Sequence, residues 1–384
     1  MLQGTSTKAK ASFYRPELDC LRFFAFLCVF ISHAFSITPE FYEQLWVPHS
    51  LATWLSTVVG SGGAGVVLFF VLSSYLITEL LIREVNRMGQ LDVKFFYIRR
   101  ALRIWPLYFF FLLLVYLVIP QESVYSLKTN YLISMLLFVG NWACVFIGGM
   151  GASVAGPLWS ISVEEQFYLA WPLIISRVGV KHLKRVCIGL IIFSNLTRIA
   201  MEKMGAGFVA FWCSTVTWFD AIAAGALIAL LLRETDFRRP LAHRILLGLG
   251  GLALWVFALR FRNSFIYPDV VYFPLIVIGS VMMLLAILGS SLKNPALVYL
   301  GRISYGLYVF HMASLALTSQ LFVKYTVFHA VTSLVITVAL SAISYQFVEK
   351  PFLRLKKRFT YVASDVVALA ESRPAFASEE ARSS

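Results

Sequence analysis

The sequence predicts an all-α fold, a polytopic membrane helix bundle with about ten transmembrane helices. Three observations support this prediction. Apolar residues make up 59% of the 384 residues and charged residues only 14%, whereas soluble domains have about one half and about one quarter. The apolar residues are concentrated in runs of about 20, the length that crosses a bilayer as a helix. Lysines and arginines lie in short clusters between these runs, as is typical of cytoplasmic loops.

Eleven apolar segments are candidates for spanning helices: 18–37, 62–82, 102–119, 131–147, 160–176, 184–201, 213–232, 245–259, 270–288, 303–322 and 327–347. If the basic clusters at 83–103 and 177–185 are both cytoplasmic, the chain crosses an even number of times between them. Three candidates lie there, so one does not span. Segment 131–147 is short and contains Gly140 and Asn141. We expect a re-entrant or interfacial element there, on the outer side and covered by protein, which leaves ten spanning helices.

The same pattern divides the chain and places it in the cell. We expect a cytoplasmic N-terminal segment at 1–14, a transmembrane domain at 15–355 and a disordered cytoplasmic tail at 356–384. The protein is predicted to be a multi-pass protein of the cell (inner or plasma) membrane with both termini cytoplasmic. Because the basic clusters account for the net charge of +13, no nucleic-acid partner is expected. The five cysteines and six histidines show no metal-site spacing, so no metal is predicted.

Ionisable residues inside spanning helices are costly and are therefore candidate functional residues. Arg22 and His33 are eleven residues apart, about three helical turns, so they share one face about 16 Å apart along the axis. Asp19 lies one turn before Arg22 and can pair with it. Asp19 and Arg22 could be an interfacial anchor and His33 a satisfied core histidine. Alternatively, His33 is a general base or a transient nucleophile.

Two further segments carry candidate site residues. Arg100 and Arg103 share a helix face at the predicted cytoplasmic boundary. Arginine forks suit phosphates, which coenzyme A carries, although topology-setting charge explains these arginines equally well. Glu164 lies one turn before Tyr168 near the predicted outer end of its helix. It could orient His33, accept a proton from a hydroxyl acceptor, or simply favour the helix N-terminus.

Weaker candidates lie further along the chain. Asp220 precedes a run of small residues in its segment, and Tyr308 and His311 lie one turn apart in the run that begins at Gly301. We assign Tyr168, Asp220, Tyr308 and His311 to substrate binding as an expectation. For His311 a structural role is equally compatible with the sequence.

The ordered set of motifs resembles the acyltransferase 3 family of integral-membrane acyltransferases, which includes bacterial O-acetylases of surface polysaccharides. The matching runs are 15–33, 65–77, 96–108, 158–172, 219–225, 300–311 and 345–352. Each run is weak alone, but seven in the right order are strong. The chain departs from the family where Cys20, Phe23 and Ser74 replace common glycines, which affects packing more than chemistry.

The resemblance implies about ten spanning helices, a cytosolic acyl-CoA donor and an acceptor handled on the outer side. Arg22 and His33 match the family's arginine–ten residues–histidine motif, which makes His33 the expected catalytic residue. Arg100 and Arg103 match its paired cytoplasmic arginines, expected near the donor. Glu164 matches the acidic position of its Trp-Ser-x-x-x-Glu run.

The expected function is transfer of an acyl group, most simply acetyl, from cytosolic acetyl-CoA to a hydroxyl of a carbohydrate. The acceptor would be a cell-surface polysaccharide or a lipid-linked sugar, with membrane lipids as surroundings and no permanently bound cofactor. We expect the pantetheine arm to thread between the first two spanning helices, with Asp19, Arg22, His33 and Glu164 as catalytic residues. One alternative is a transporter, although the inverted repeats and broken helices typical of transporters are absent from the sequence. Another is an acyltransferase for lipids or small metabolites.

Overall fold

The structure is a computed structural model that describes residues 14–233, 237 and 239–360. These residues form α-helices joined by turns and loops, with no β-strand among them, which confirms the predicted all-α bundle. The α-helices are α1 (Pro16–Ala34), α2 (Pro39–Glu43), α3 (His49–Ser61), α4 (Gly65–Met88), α5 (Val93–Val118), α6 (Thr129–Leu136), α7 (Gly140–Phe146), α8 (Trp159–Val178), α9 (Leu183–Lys203), α10 (Phe208–Cys213), α11 (Phe219–Leu232), α12 (Leu241–Phe261), α13 (Pro268–Ile287), α14 (Pro295–Arg302), α15 (Ser304–Thr318), α16 (Val327–Ser344) and α17 (Lys350–Lys356).

Among the described residues, six helical segments are long and apolar enough to cross a membrane, by length and composition: His49–Met88, Val93–Val118, Thr215–Leu232, Leu241–Ser264, Pro268–Ile287 and Val327–Phe359. Four other helices are candidates because they coincide with apolar segments that the sequence predicted to span. Helices α1, α8 and α9 have 19, 20 and 21 residues but carry more charged or polar side chains, and α15 has 15 residues. These six segments and four helices together would give the ten spans predicted from the sequence, and that number stays a prediction.

Large apolar side chains are exposed along the outside of the bundle. Leu113 and Leu117 of α5, Leu196 of α9 and Leu246 of α12 are examples. Soluble monomers rarely expose contiguous apolar surface of this kind. A bundle with this outer surface suits lipid, in agreement with the predicted membrane location.

Helix α4 lies at the centre of the bundle, and α4 together with the 3₁₀ turn before it (Gly62–Ala64) touches α1 along a seam of glycines. A methyl group added at Gly62 would overlap the carbonyl oxygen of Cys28, and one added at Gly65 would overlap that of Ala25. Gly225 of α11 is packed equally tightly against the opposite side of α4. Only glycine allows backbones this close, so the small residues hold α1 and α11 against α4.

Segment 131–147 is not one helix. It contains α6 and α7, with eight and seven residues, and each is too short to cross a bilayer. The chain breaks between them at Phe138, whose φ is +54°. The side-chain amide of Gln166 on α8 donates to the carbonyl of Phe138 and to Oδ1 of Asn141, both at 2.9 Å. Protein therefore satisfies the broken backbone, as an irregular element in a membrane protein requires.

The C-terminal part of the bundle continues past the predicted domain boundary at residue 355. A π-turn at Tyr345–Glu349 leads from α16 into α17, followed by a 3₁₀ turn. Arg99 Nη1 donates to the carbonyl of Phe359 at 2.8 Å, and Arg99 also pairs with Glu84 at 2.5 Å. Of the predicted N-terminal segment at 1–14 and the predicted tail at 356–384, residues 1–13 and 361–384 lie outside the described residues.

Candidate active site

A cavity of about 180 Å³ lies inside the bundle, and helices α1, α4, α5, α8 and α15 contribute to its wall. Most of the charged residues in its lining are basic. The basic side chains come from parts of the chain that the charge pattern predicts at the cytoplasmic side, and they are Arg22, Arg100, Arg103, Arg302 and Lys356. Asp19 and Glu164 are the acidic side chains in the lining. The arrangement favours a negatively charged ligand.

Asp19 and Arg22 form an ion pair at the wall of this cavity, as their spacing predicted. Arg22 Nη1 donates to Asp19 Oδ1 at 2.5 Å, and the hydroxyl of Tyr14 donates to Asp19 Oδ2 at 2.8 Å. The Asp19 side chain is 7% exposed and that of Arg22 is 26% exposed. Asp19 therefore holds Arg22 at the cavity wall while part of the guanidinium stays accessible.

Arg100 and Arg103 enter the same cavity from one face of α5. Among the residues that the structure describes, neither forms an ion pair. The guanidinium of Arg100 lies over the rings of Phe96 and Tyr168, with 5.6 Å to each ring centroid. Its Nε is buried without a hydrogen-bond partner. An arginine in this state has donors available for an anion.

Glu164 and Tyr168 lie one turn apart on α8 and line the cavity. Tyr168 donates its hydroxyl to Glu164 Oε2 at 3.0 Å and also contacts Ser73 Oγ of α4 at 2.5 Å. The expectation that Glu164 orients His33 is not met, because its hydrogen bond goes to Tyr168. The reason is geometric. Glu164 and Tyr168 of α8 face α4, where Tyr168 contacts Ser73, whereas His33 contacts His311 of α15.

Ser160 and Tyr308 close another part of the cavity wall. Their side-chain oxygens are 2.8 Å apart, and the hydroxyl of Tyr308 also lies 2.9 Å from the carbonyl oxygen of Pro157. The ring of Phe69 packs edge-on against Tyr308, with 5.9 Å between centroids. These contacts tie α8 to α15 beside α4.

His33 lies near the C-terminal end of α1 and meets His311 of α15. Nδ1 of His33 is 3.0 Å from Nε2 of His311, and the rings stack with centroids 5.2 Å apart. His311 is fully buried, whereas His33 is exposed. Nδ1 of His311 is 2.7 Å from the carbonyl oxygen of Tyr308. The two histidines are thus in direct contact although 278 positions separate them.

The expected passage between the first two spanning helices is closed. Residues Ala25 and Cys28, which lie between Arg22 and His33 on α1, are in backbone contact with Gly65 and Gly62. No ligand fits in this seam. The cavity instead extends on the side of α8 and α15, where Ser304 and Tyr308 line it, and neither His33 nor His311 is part of its lining.

Asp220 is not brought to this cavity. Both of its carboxylate oxygens accept from Arg198 of α9, at 2.7 and 2.6 Å. Arg198 also donates to the carbonyl of Thr217 and lies over the ring of Phe273, 5.1 Å from its centroid. Asp220 therefore joins α11 to α9, and its predicted role in substrate binding has no support from its position.

Several residues at the site were not among the candidates predicted from the sequence. They are Tyr14, Ser73, Ser160, Arg302 and Lys356. A partial signal existed for Ser160, which lies one turn before Glu164 on the same helix face. The others come from separate parts of the chain and meet only through the fold. Within the described ranges, no group of three or more His, Cys, Asp or Glu could hold a metal ion.

Comparison with known proteins identifies the family. The profile described as "Acyltransferase domain", that of the acyltransferase 3 family, matches residues 15–346. The "Putative O-acetyltransferase SAS0844" of Staphylococcus aureus strain MSSA476 is 26% identical over 374 residues, covering 90% of this chain and 58% of that protein. O-acetyltransferase OatA of strain NCTC 8325 is 25% identical over 364 residues, covering 88% and 57%.

The chain therefore spans less than three fifths of the length of these curated relatives. No solved structure matches it. The profile nevertheless extends over nearly the whole bundle, from the start of α1 to the end of α16, and includes both ends of the Arg22–His33 motif. The family that the ordered motifs predicted is thus confirmed, and the chain belongs to the acyltransferase 3 family of membrane proteins.

Proposed function

We propose that this protein transfers an acetyl group from cytosolic acetyl-CoA to a hydroxyl of a carbohydrate on the outer side of the plasma membrane. The observation that carries the proposal is the placement of two groups of residues along α1. A basic cavity lies at Arg22, and an exposed histidine lies at position 33, about 16 Å further along the helix. The names of the relatives, which describe O-acetyltransferases, favour acetyl as the group and oxygen as its acceptor.

The basic end of the cavity is the proposed donor site. Arg100 and Arg103 lack ion-pair partners among the described residues, and guanidinium groups bind phosphates through paired hydrogen bonds. A cavity of about 180 Å³ is smaller than the roughly 300–1,000 Å³ of pockets that enclose drug-sized ligands. The nucleotide part of acetyl-CoA would therefore remain at the cytoplasmic mouth, and the thioester arm would enter between α4, α8 and α15.

His33 is the proposed general base. Its imidazole would accept the proton of the acceptor hydroxyl while the hydroxyl oxygen attacks the thioester carbonyl carbon. The carbon–sulfur bond then breaks, and the thiolate of coenzyme A takes the proton from His33. Because His33 is outside the cavity lining, the wall formed by Ser160 and Tyr308 has to open before the acetyl group reaches it. Glu164 would hold Tyr168 and Ser73 in place at the wall.

The acceptor side follows from the topology that the basic clusters predict. With both termini cytoplasmic, Arg22 lies at the inner side and His33 toward the outer side. A polysaccharide or lipid-linked sugar outside the cell could then reach the exposed imidazole.

The direct test measures transfer of radiolabelled acetyl from acetyl-CoA to polysaccharide in membranes that contain the protein. His33→Ala should lower the rate by about 100-fold to 10,000-fold, the contribution typical of a general base. His182→Ala is the matched control, because His182 is an exposed histidine away from the cavity. Wild-type rates in the His33 variant would contradict the mechanism. Acetylation of lipid but not of carbohydrate would contradict the proposed acceptor.

A further inference from the structure

Three groups form a continuous line of hydrogen bonds from the backbone of α15 to the exposed edge of His33. The carbonyl oxygen of Tyr308 is 2.7 Å from Nδ1 of His311. Nε2 of His311 is 3.0 Å from Nδ1 of His33. The remaining ring nitrogen, Nε2 of His33, has no hydrogen-bond partner among the described residues.

The first group in this line determines where the protons are. A carbonyl oxygen can only accept, so Nδ1 of His311 must carry a hydrogen. In a neutral imidazole the other nitrogen is then an acceptor, so Nε2 of His311 has a lone pair directed at His33. Nδ1 of His33 must therefore be the donor of the 3.0 Å bond. The hydrogen of neutral His33 is thereby assigned to Nδ1, and its Nε2 is left unprotonated.

The surroundings of His311 keep it neutral. It is fully buried, and no acidic side chain in the described part of the chain pairs with it. The ring of Phe26 packs edge-on against it, with 6.2 Å between centroids. A positive charge in such a place would be buried without a counter-ion, which is costly. His311 thus remains a neutral group that accepts through Nε2.

We propose that His311 is a positioning residue that holds His33 in the tautomer with hydrogen on Nδ1 and presents the unprotonated Nε2 to the acceptor hydroxyl. This inference rests on the proposed function only in its last step, the identity of the proton that Nε2 accepts. The stacking of the two rings, tilted by 23°, fixes the direction of Nε2 as well as its protonation. In hydrolases with a histidine base, an aspartate fulfils the corresponding role, and loss of the correct tautomer there is very costly.

The tautomer can be measured on the wild-type protein without any acceptor. Nitrogen-15 spectra of the full-length protein labelled at histidine, reconstituted in lipid nanodiscs, separate protonated from unprotonated ring nitrogens. His33→Gln assigns the His33 signals by their loss. We expect hydrogen on Nδ1 of His33 and none on Nε2. Hydrogen on Nε2 would overturn the proposal, whatever the enzyme acetylates.

Two substitutions at position 311 then test whether His311 causes this state. His311→Gln can place an amide oxygen where Nε2 stands and still accept from His33, so it should retain the tautomer and most of the transfer rate. His311→Leu cannot accept, so it should produce a mixture of tautomers and lower transfer by about 100-fold. His329→Gln provides the control for replacing a buried histidine, because His329 of α16 is also buried. A wild-type tautomer and rate in His311→Leu would overturn the proposal.

The outcomes separate this inference from the proposed function. If His33→Ala keeps full activity while the Nδ1 tautomer is observed and depends on His311, then the catalytic assignment of His33 is wrong and the positioning contact is correct. If His33→Ala is inactive but His311→Leu behaves as the wild type in both measurements, then the catalytic assignment of His33 is correct and the positioning role of His311 is wrong. Diethyl pyrocarbonate modifies unprotonated imidazole nitrogens. The rate at which it modifies His33, relative to exposed His182, therefore gives a further measure of the unprotonated Nε2 that is independent of transfer.

Discussion

The bundle contains two arginine–aspartate pairs that differ in almost everything except their chemistry. Arg198 and Asp220 join α9 to α11 through two parallel hydrogen bonds, and their side chains are 0% and 4% exposed. Arg22 and Asp19 lie on one helix, share a single hydrogen bond and line a cavity. In the first pair the guanidinium is committed to protein partners. In the second pair the arginine side chain is about a quarter exposed.

The comparison shows that an ionisable residue in a membrane helix does not by itself mark a functional site. Both aspartates are costly to bury, and both were candidates from the sequence. What distinguishes them is whether the partners of the arginine leave any donor facing open space. Arg198 has become part of the scaffold, whereas Arg22 and Arg100 have charge that faces the cavity.

Disrupting the buried pair of Arg198 and Asp220 should have the largest effect on stability. Arg198→Met leaves the carboxylate of Asp220 buried without a counter-ion, which should cost about 3–5 kcal/mol of unfolding free energy. Thermal unfolding of the detergent-solubilised protein measures this loss. The double variant Arg198→Met with Asp220→Leu should recover most of it, because an apolar pair needs no counter-ion. If both variants are equally unstable, the shape of this pair matters and its charge does not.

Replacing an arginine that lines the cavity should instead affect ligand binding and leave stability unchanged. Arg100→Met should weaken binding of acetyl-CoA about tenfold to a hundredfold, since hydrogen bonds to charged groups contribute about 1.5–3 kcal/mol. Stability should not fall, because the guanidinium has no ion pair to lose. Titration calorimetry measures the affinity. Lys94→Met removes an exposed positive charge from the same helix as a control. Equal affinities in the two variants would exclude Arg100 from the donor site.

The smallest effect is expected at the wall between the cavity and the histidines. Tyr308→Phe removes the hydroxyl that contacts Ser160 and Pro157, which should cost about 1 kcal/mol of stability. Transfer should change little, because His311 bonds to the backbone of residue 308 and not to its side chain. Tyr131→Phe removes a hydroxyl far from the cavity as a matched change. Complete loss of transfer in Tyr308→Phe would place this hydroxyl in the chemistry itself.

Local sequence patterns predicted features that lie within one segment of the chain, such as which residues share a face of a helix. The phase of Asp19, Arg22 and His33 along α1 follows from 3.6 residues per turn. The failure of 131–147 to form one long helix follows from its length and its glycine. The place of the break does not, since Phe138 adopts a positive φ that is rare for a residue with a side chain.

Contacts between distant helices could not be predicted in this way. Nothing near His33 indicates that its partner is His311, and nothing near Asp220 indicates Arg198. The sequence instead suggested Glu164 as a partner of His33, because a carboxylate near the predicted outer end of its helix could orient an imidazole. Motif order identified the family, but only the packing of α1 against α15 assigned each polar group its neighbour.

The glycine seam between α1 and α4 has a consequence for the membrane as a barrier. If the protein moves an acyl group across a membrane as proposed, it must not also conduct ions, or the cell would lose its electrochemical gradient. Backbone contact at Gly62 and Gly65 leaves no space for a file of water molecules between the basic cavity and the histidine pair along this interface. The same two residues that allow this close approach therefore also block ion passage along the interface between α1 and α4.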